Sequence, residues 1–250
     1  MKLESLLEYL AGYLSIADHP DYDTALNGLQ VEGPPEVSHL SAAVDASEAT
    51  IDDAARLESD LLLVHHGIFW GGLRPLTGPR FRRVKRLVEA GVGLYSAHLP
   101  LDGHPEVGNC ILLARALGLE VEDRFGSYRG APLGWWGTVD TDRDGLAARV
   151  EASVEGPVRL IPGGPERIRR VGVLTGGGGS FVEEAARMGL DAYVTGEGSH
   201  HTAIDATEMG INLLYAGHYR TETFGVRALG AHLSERFGLA WEFLDHPTGM

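Results

Sequence analysis

Cysteine is almost missing from this chain. Cys110 is the only one in 250 residues, so no intrachain disulfide can form, and a reducing, cytoplasmic setting is expected. Long apolar runs are missing too. None approaches the roughly 18 residues that a membrane-spanning helix needs, so no membrane partner is expected. The opening segment MKLESLLEYLAGYL sets Glu4 and Glu8 inside its apolar pattern, which reads as an amphipathic helix rather than a signal peptide. Positive charge is scarce: 21 Lys and Arg face 35 Asp and Glu, a net charge of −14. Such a chain has no general attraction for phosphate backbones, so direct nucleic-acid binding is not expected. What is present is an ordinary globular composition, 44% hydrophobic and 22% charged, long enough for one large domain or two modest ones. Disordered, collagen-like and coiled-coil chains are thereby excluded. Two excesses stand out. Glycine, at 34 residues, is about twice its usual share, and the 11 histidines cluster.

Short apolar strands alternate with helical patterns. SHLSAAVD (38–45), DLLLVHHG (60–67) and VGLYSAH (92–98) read as strands; EATIDDAARLES (48–59), RFRRVKRLVEAG (80–91) and GNCILLARALGL (108–119) read as helices. The alternation returns from Arg169 onward. It implies an α/β fold with mainly parallel strands, whose loops gather functional residues at the strands' carboxyl ends.

The two stretches resemble each other. Ala54-Ala55-Arg56 followed by Asp60 returns as Ala185-Ala186-Arg187 followed by Asp191, and YSAHLPLD (95–102) returns as YAGHYRTE (215–222). In that match His98 pairs with His218 and Asp102 with Glu222. We read a duplication, with chance similarity as the alternative. The expected organisation is an N-terminal α/β half (1–120), a short connecting excursion (121–168) and a C-terminal α/β half (169–250). The similar halves would pack face to face with a dinuclear metal site in the cleft between them. The excursion is too short to bury a good core of its own.

His65-His66-Gly67 ends one strand. Adjacent side chains on a regular strand point to opposite faces, but glycine lets the backbone bend there, so each imidazole could serve one ion of a close pair. The alternative is one buried and one exposed histidine. His98 with Asp102, and His218 with Glu222, follow two further strands at a spacing of one helical turn. Histidine with carboxylate suits Zn, Fe, Mn or Ni. Counting donors, three histidines and two carboxylates cannot fill two four-coordinate ions, so water must complete the site, as in two-metal hydrolases.

Other motifs keep two readings. Thr175-Gly176-Gly177-Gly178-Gly179-Ser180 lies between a strand and a helix; it is either an anion-binding turn or a turn that needs glycine for its geometry. Glu197 sits where the repeat places His66, with His200 and His201 beyond it. It is a supporting group or general base, or a solvated helix start. Asn27-Gly28 marks a turn. Trp70 is assigned to the core, with a cleft wall as the alternative.

The segments NGLQVEG (27–33), LLVHHGIFWGG (62–72), AHLPLD (97–102), TGGGGS (175–180), DAYVTGE (191–197) and AGHYRTETFG (216–225) resemble a known family. It is the dinuclear-metal-centre hexamers, or NGG-interacting-factor-three-like proteins, whose bacterial members carry the label GTP cyclohydrolase type-two homologue. The resemblance implies two divalent metal ions per chain on His65, His66, Asp102, His218 and Glu222, with Glu222 bridging. It leaves His98 a supporting role, which we also assign to His201. It further implies a toroidal homohexamer with its metal sites facing an internal cavity. Longer relatives carry an inserted domain in place of the excursion here.

The expected function is a dinuclear metal-dependent hydrolase of a nucleotide or small phosphate-bearing compound. By its label the family points to GTP and ring opening at the purine imidazole carbon; a phosphoesterase fits the same ligands. Glu197 is the candidate catalytic residue and Gly176 to Gly179 the candidate anion site. The alternative is a non-enzymatic metal-binding regulatory or scaffold hexamer acting through protein partners. An open water position favours the enzyme; the lack of a substrate motif keeps the alternative in play.

Overall fold

The computed structural model describes residues 1–72 and 74–250. In chain order its elements are α1 (Leu3–Tyr13), β1 (Gly28–Val31), β2 (His39–Asp45), α2 (Glu48–Arg56), β3 (Leu61–His66), α3 (Gly78–Ala90), β4 (Gly93–Ser96), α4 (Leu99–Asp102) and α5 (Asn109–Ala116). There follow β5 (Glu120–Tyr128), β6 (Ala131–Asp142), α6 (Arg143–Val154), β7 (Arg159–Pro162), β8 (Arg167–Val173), a 3₁₀ turn (Gly178–Phe181), α7 (Val182–Arg187) and β9 (Ala192–Thr195). The chain closes with α8 (His200–Met209), β10 (Asn212–Tyr215), α9 (His218–Thr221), α10 (Thr223–Phe237) and β11 (Ala240–Phe243). Among the described residues no helix is long and apolar enough to cross a membrane.

Two compact units result. The first is Met1–Leu101 with Gly225–His246, the second Asp102–Phe224 with Pro247–Met250. The first unit holds a sheet in the order β1-β4-β3-β2-β11, parallel except where β1 joins β4. Its central strand β3 is a continuous apolar run, Leu61 to Val64, fully buried, as a strand covered on both faces must be. Ile51 of α2 and Leu87 of α3 pack on Leu62, Val64 and Leu94. Ser47 caps α2 by accepting the Thr50 N–H at 3.1 Å, and Gly91, at φ +69°, ends α3 in the left-handed conformation that glycine adopts most cheaply. Gly225–His246 joins this unit because β11 adds to the β2 edge in parallel register.

The second unit's sheet runs β5-β6-β8-β9-β10-β7. Its centre, β8-β9-β10, is parallel; β5, β6 and β7 attach antiparallel. Nearly all of these antiparallel strands come from the excursion at 121–168. That segment buries Leu146, Val150 and Val154 of α6 against Ile168, Val171 and Val194, so it completes the second unit's core instead of building one of its own.

The internal similarity extends to single hydrogen bonds. β2-α2-β3-α3-β4-α4 and β8-α7-β9-α8-β10-α9 run in the same order, and each gives three adjacent parallel strands. An Asp60 carboxylate oxygen accepts the N–H groups of Ser38 and His39 at 2.8 and 3.0 Å; an Asp191 oxygen accepts those of Arg169 and Arg170, both at 2.8 Å. Gly91 and Gly210 end the corresponding helices with φ of +69° and +75°. The short helices α4 and α9, which begin or end on the candidate ligands, therefore occupy the same place after the last strand of each repeat.

Leu63→Ala should lower unfolding free energy by about 2–5 kcal/mol, since it opens a cavity in a fully buried central strand. Val88→Ala, at a 64% exposed position on α3, should stay within about 0.5 kcal/mol. Urea unfolding monitored by circular dichroism in the presence of a chelator measures both.

Candidate metal centre

Three histidines converge within the first unit. His65 and His66 end β3, and His98 follows β4. Ring centroids lie 4.7 Å apart for His65 and His66, 5.0 Å for His65 and His98, and 5.5 Å for His66 and His98. One ring nitrogen from each falls within 4.8 Å of the others. The strand end thus overcomes the opposed directions that regular pleating would impose. Gly67 helps differently from the sequence expectation. It does not adopt a positive φ; instead a Cβ there would collide with the Gln30 amide, whose Oε1 accepts the Ile68 N–H at 2.8 Å.

Each ring is anchored at Nδ1. His65 is fully buried and donates to the Ala97 carbonyl at 2.9 Å. His66 donates to Asp45, its register partner on β2, at 2.9 Å. His98 donates to Asp21, also at 2.9 Å. Carbonyls and carboxylates only accept, so Nδ1 carries the proton in all three. Nε2 of the neutral ring then holds the lone pair, the tautomer that metal-binding histidines use. Asn27 completes the His98 mount: its Oδ1 accepts the His98 N–H and its Nδ2 donates to Asp21, each at 2.8 Å. Burial would raise the Asp21 pKa, but the hydrogen bonds from His98, Asn27 and the Tyr22 N–H, with the His98 charge while that ring is protonated, outweigh it and hold the carboxyl below its usual range. Trp70 is half-buried and stands edge-on to His98, centroids 4.7 Å apart at 89°. It walls the cluster and is not a core side chain.

The second unit builds a related cluster. His218 opens α9, donates from Nδ1 to Glu197 at 2.7 Å and lies with Nε2 3.1 Å from Glu222. Glu197 therefore holds the His218 ring as Asp45 holds His66. Glu222 and Asp102 are both buried, with an oxygen of each within 4.8 Å of the other. Asn109 and Thr175 donate to Asp102 Oδ1 at 2.9 and 3.2 Å. Burial pushes the neighbouring Cys110 thiol up to about 12, aided by the Asp102 charge, so it stays a neutral core group. His104 shows the opposite tautomer. Its Nδ1 accepts the N–H groups of Glu106 and Val107, both at 3.2 Å, so it serves the fold of that loop.

The Gly176–Gly179 turn is shaped by packing. Gly176 has φ +64°, and a Cβ there would run into the Glu222 carboxylate. One on Gly178 would meet Leu174 at 2.6 Å, and one on Gly179 would meet Gly198. The Gly176 N–H is given to Thr221 and the Gly179 N–H to the Glu197 carbonyl, each at 3.0 Å. Beside the turn lies a cavity of about 380 Å³ whose lining includes Gly177, Ser180, Glu197, His201 and Thr202. His201 is exposed there.

Sequence reasoning missed Asp21 and Asp45 and saw in Asn27 only a turn. The available signals were an acidic end to the apolar run SAAVD and the polar stretch DYDTALNG just before the first strand.

Fold and clusters together define an α/β protein of two similar units, each mounting imidazoles on acceptor oxygens, with His and Glu groups that could hold a metal ion. The particular family follows from comparison. A model of the Duf34/NIF3 (NGG1p interacting factor 3) family matches residues 1–248, and the chain belongs to that family. A Deinococcus radiodurans protein named GTP cyclohydrolase 1 type 2 homolog is 44% identical over 99% of this chain and 94% of its own length. A solved protein described as "protein ybgI, unknown function" superposes with a TM-score of 0.94 at 40% identity, and TTHA1606 from Thermus thermophilus with 0.89 at 43%, both over 100% of each chain.

His218 titrates far from its ordinary value. Burial alone would lower its pKa from 6.5, but the Glu222 hydrogen bond and charge, joined by those of Glu197, push it up to about 9. In metal-free protein its stabilising charge is therefore fully present below pH 6.5 and lost as pH rises through about 9. Imidazole NMR should place its midpoint near 9, and Glu222→Gln should move it back toward 6.5. An unchanged midpoint in that variant would show the pair to be uncoupled.

Proposed function

We propose that this chain is a metal-dependent hydrolase in which His65, His66, Asp102, His218 and Glu222 hold two divalent ions, and that its substrate is a nucleotide or a small phosphate-bearing compound. One observation carries the reading. The rings of His65, His66 and His218 are anchored through Nδ1, which turns Nε2 into the metal-donor atom, in His218 once the proton shared with Glu222 is given up. Buried Asp102 and Glu222 add oxygen donors, and Zn, Fe, Mn and Ni all accept this mixture. The five residues are those that the family resemblance implies, with Glu222 as the bridge. The name of the Deinococcus relative supports a GTP-like substrate.

When bound, such an ion pair supplies a hydroxide near neutral pH and stabilises the charge of a hydrolytic transition state. The chain's own residues do the rest. Asp45 and Glu197 fix the rings of His66 and His218 and raise their donor strength. Glu197 is the candidate for moving a proton to the leaving group. The cavity beside Gly177 and Ser180, with His201 on its wall, is the candidate space for an anionic tail. Because the Gly176 and Gly179 amides are already engaged, little of that affinity would come from them. Binding at His218 must displace its proton, so metal affinity should rise with pH up to about 9.

The test loads purified protein with Zn, Fe, Mn and Ni in turn and screens nucleotides and phosphate esters. Wild type should hold two ions and hydrolyse one class slowly. His65→Ala and Glu222→Gln should abolish turnover, and Glu197→Gln should reduce it by roughly ten- to a hundredfold. Formate from GTP identifies ring opening, and released phosphate a phosphoesterase. A metal-loaded wild type as inert as Glu222→Gln across the screen would overturn the enzyme reading in favour of a metal-dependent binding hexamer.

On the same family grounds we propose a closed, toroidal homohexamer. Light scattering after size exclusion should give six times the 26.9 kDa chain mass at micromolar concentration. A clean monomer would contradict it.

A further inference from the structure

A second cavity lies within the second unit, near the amino end of β8. It encloses about 550 Å³, a volume that suits a small-molecule ligand. Four strand residues, roughly 3.3 Å each, carry β8 from Arg169 to Val173, and only beyond that end does Thr175 reach Asp102. The cavity and the metal residues therefore sit at opposite ends of the strand. A β-bulge shapes the wall. Thr138 pairs with Arg170 and Thr141 with Ile168, so Val139 and Asp140 together face Arg169 alone. Val171 and Val173 pack in one core with Leu146 and Val150 of α6. Period-two alternation puts Arg169 on that same side, where α6 carries Arg149.

The charges of this wall are unusual for the chain. Acidic residues outnumber basic ones by 35 to 21, and Arg56, Arg82, Arg86, Arg167 and Arg187 each pair with a carboxylate. Among the described residues Arg149 and Arg169, which both line the cavity, form no ion pair. Arg149 gives one N–H to the Leu117 carbonyl at the end of α5, at 3.4 Å, which holds its guanidinium in place and leaves its other N–H groups over. Asp140 is taken by Arg167, but Glu120 lines the same cavity without closing on either free arginine. An exposed pair gains little by closing, so the separation costs the fold little. The result is one cavity with two cations and one anion held apart.

We propose that this cavity binds a small zwitterion, with its carboxylate or phosphate on Arg149 and Arg169 and its ammonium group on Glu120. The planar fork of arginine matches two oxygens of either oxyanion, and the Thr138 hydroxyl is a further polar group on the wall. A simple anion is opposed by Glu120 and a simple amine by the arginines, so the cavity selects a molecule that carries both charges. The site depends on neither metal binding nor hydrolysis.

The experiment titrates chelator-treated full chain, in which anions have no metal to bind, and follows binding by calorimetry. Phosphoethanolamine and β-alanine are the probes, which separate a phosphate from a carboxylate; inorganic phosphate and ethanolamine are the controls. One zwitterion should bind once per chain, roughly tenfold or more tightly than either control. Arg169→Gln should weaken it by roughly ten- to a hundredfold. Arg149→Lys, which keeps the charge and loses the fork, should weaken it less than Arg149→Gln. Glu120→Gln should remove the preference over inorganic phosphate. All three side chains are exposed, so the variants should stay folded, which circular dichroism checks. No saturable binding of either zwitterion, a preference for inorganic phosphate, or binding that Arg169→Gln and Glu120→Gln leave unchanged would overturn the proposal. A wild type that binds the zwitterion but takes up no metal would sink the metal reading and leave this site standing.

Discussion

The site depends on an acceptor at the Nδ1 side of each of four imidazoles. A histidine can present either nitrogen, and only an acceptor on one side decides which. Here the Ala97 carbonyl and the carboxylates of Asp45, Asp21 and Glu197 each take an Nδ1–H. Each contact fixes a tautomer and a ring orientation at once. The rest of the structure serves to put these acceptors in register. Asp45 faces His66 because β2 and β3 pair in parallel, and Ala97 faces His65 because β4 adjoins β3. A one-residue slip in either pairing would exchange side-chain faces and unmount the ring.

The internal similarity accompanies two clusters of related design. Each repeat delivers three adjacent parallel strands and then a four-residue helix after the last of them. Parallel strands present their carboxyl ends together, so residues at the ends of neighbouring strands meet without a long loop. The two repeats also differ. His66 in one matches Glu197 in the other, and the two now play opposite parts: His66 is a mounted ring, Glu197 the mount for His218. Gly176 belongs to the second copy alone, where the lack of a Cβ leaves room for the Glu222 carboxylate.

Much of this was readable in the chain. Strand–helix alternation and the 131-residue recurrence of Asp60 as Asp191 gave the two α/β units, because burial and strand-start hydrogen bonding leave local patterns. The histidines and carboxylates at strand ends were readable for the same reason. The mounts were not. Asp21 lies 77 residues from His98, and Asp45 lies 21 from His66. Nothing in local periodicity reports a partner brought in by sheet pairing. The segment 225–246 escaped similarly: AWEF is a short edge strand of mixed exposure, and its place beside β2 is a tertiary outcome. The glycine-rich turn misled in another way. Four glycines in a row read equally as an anion cradle or as relief of crowding, and only the neighbours of each missing Cβ separate the two.

The electrostatics of the two clusters differ. In the second unit, His218 lies between two carboxylates, and in the absence of metal a proton satisfies all three groups. An arriving cation must compete with that proton. In the first unit the carboxylates of Asp45 and Asp21 sit behind the rings, on the Nδ1 side, and strengthen Nε2 as a donor. The carboxylate cluster thus carries a proton of its own near neutral pH, held until pH approaches about 9.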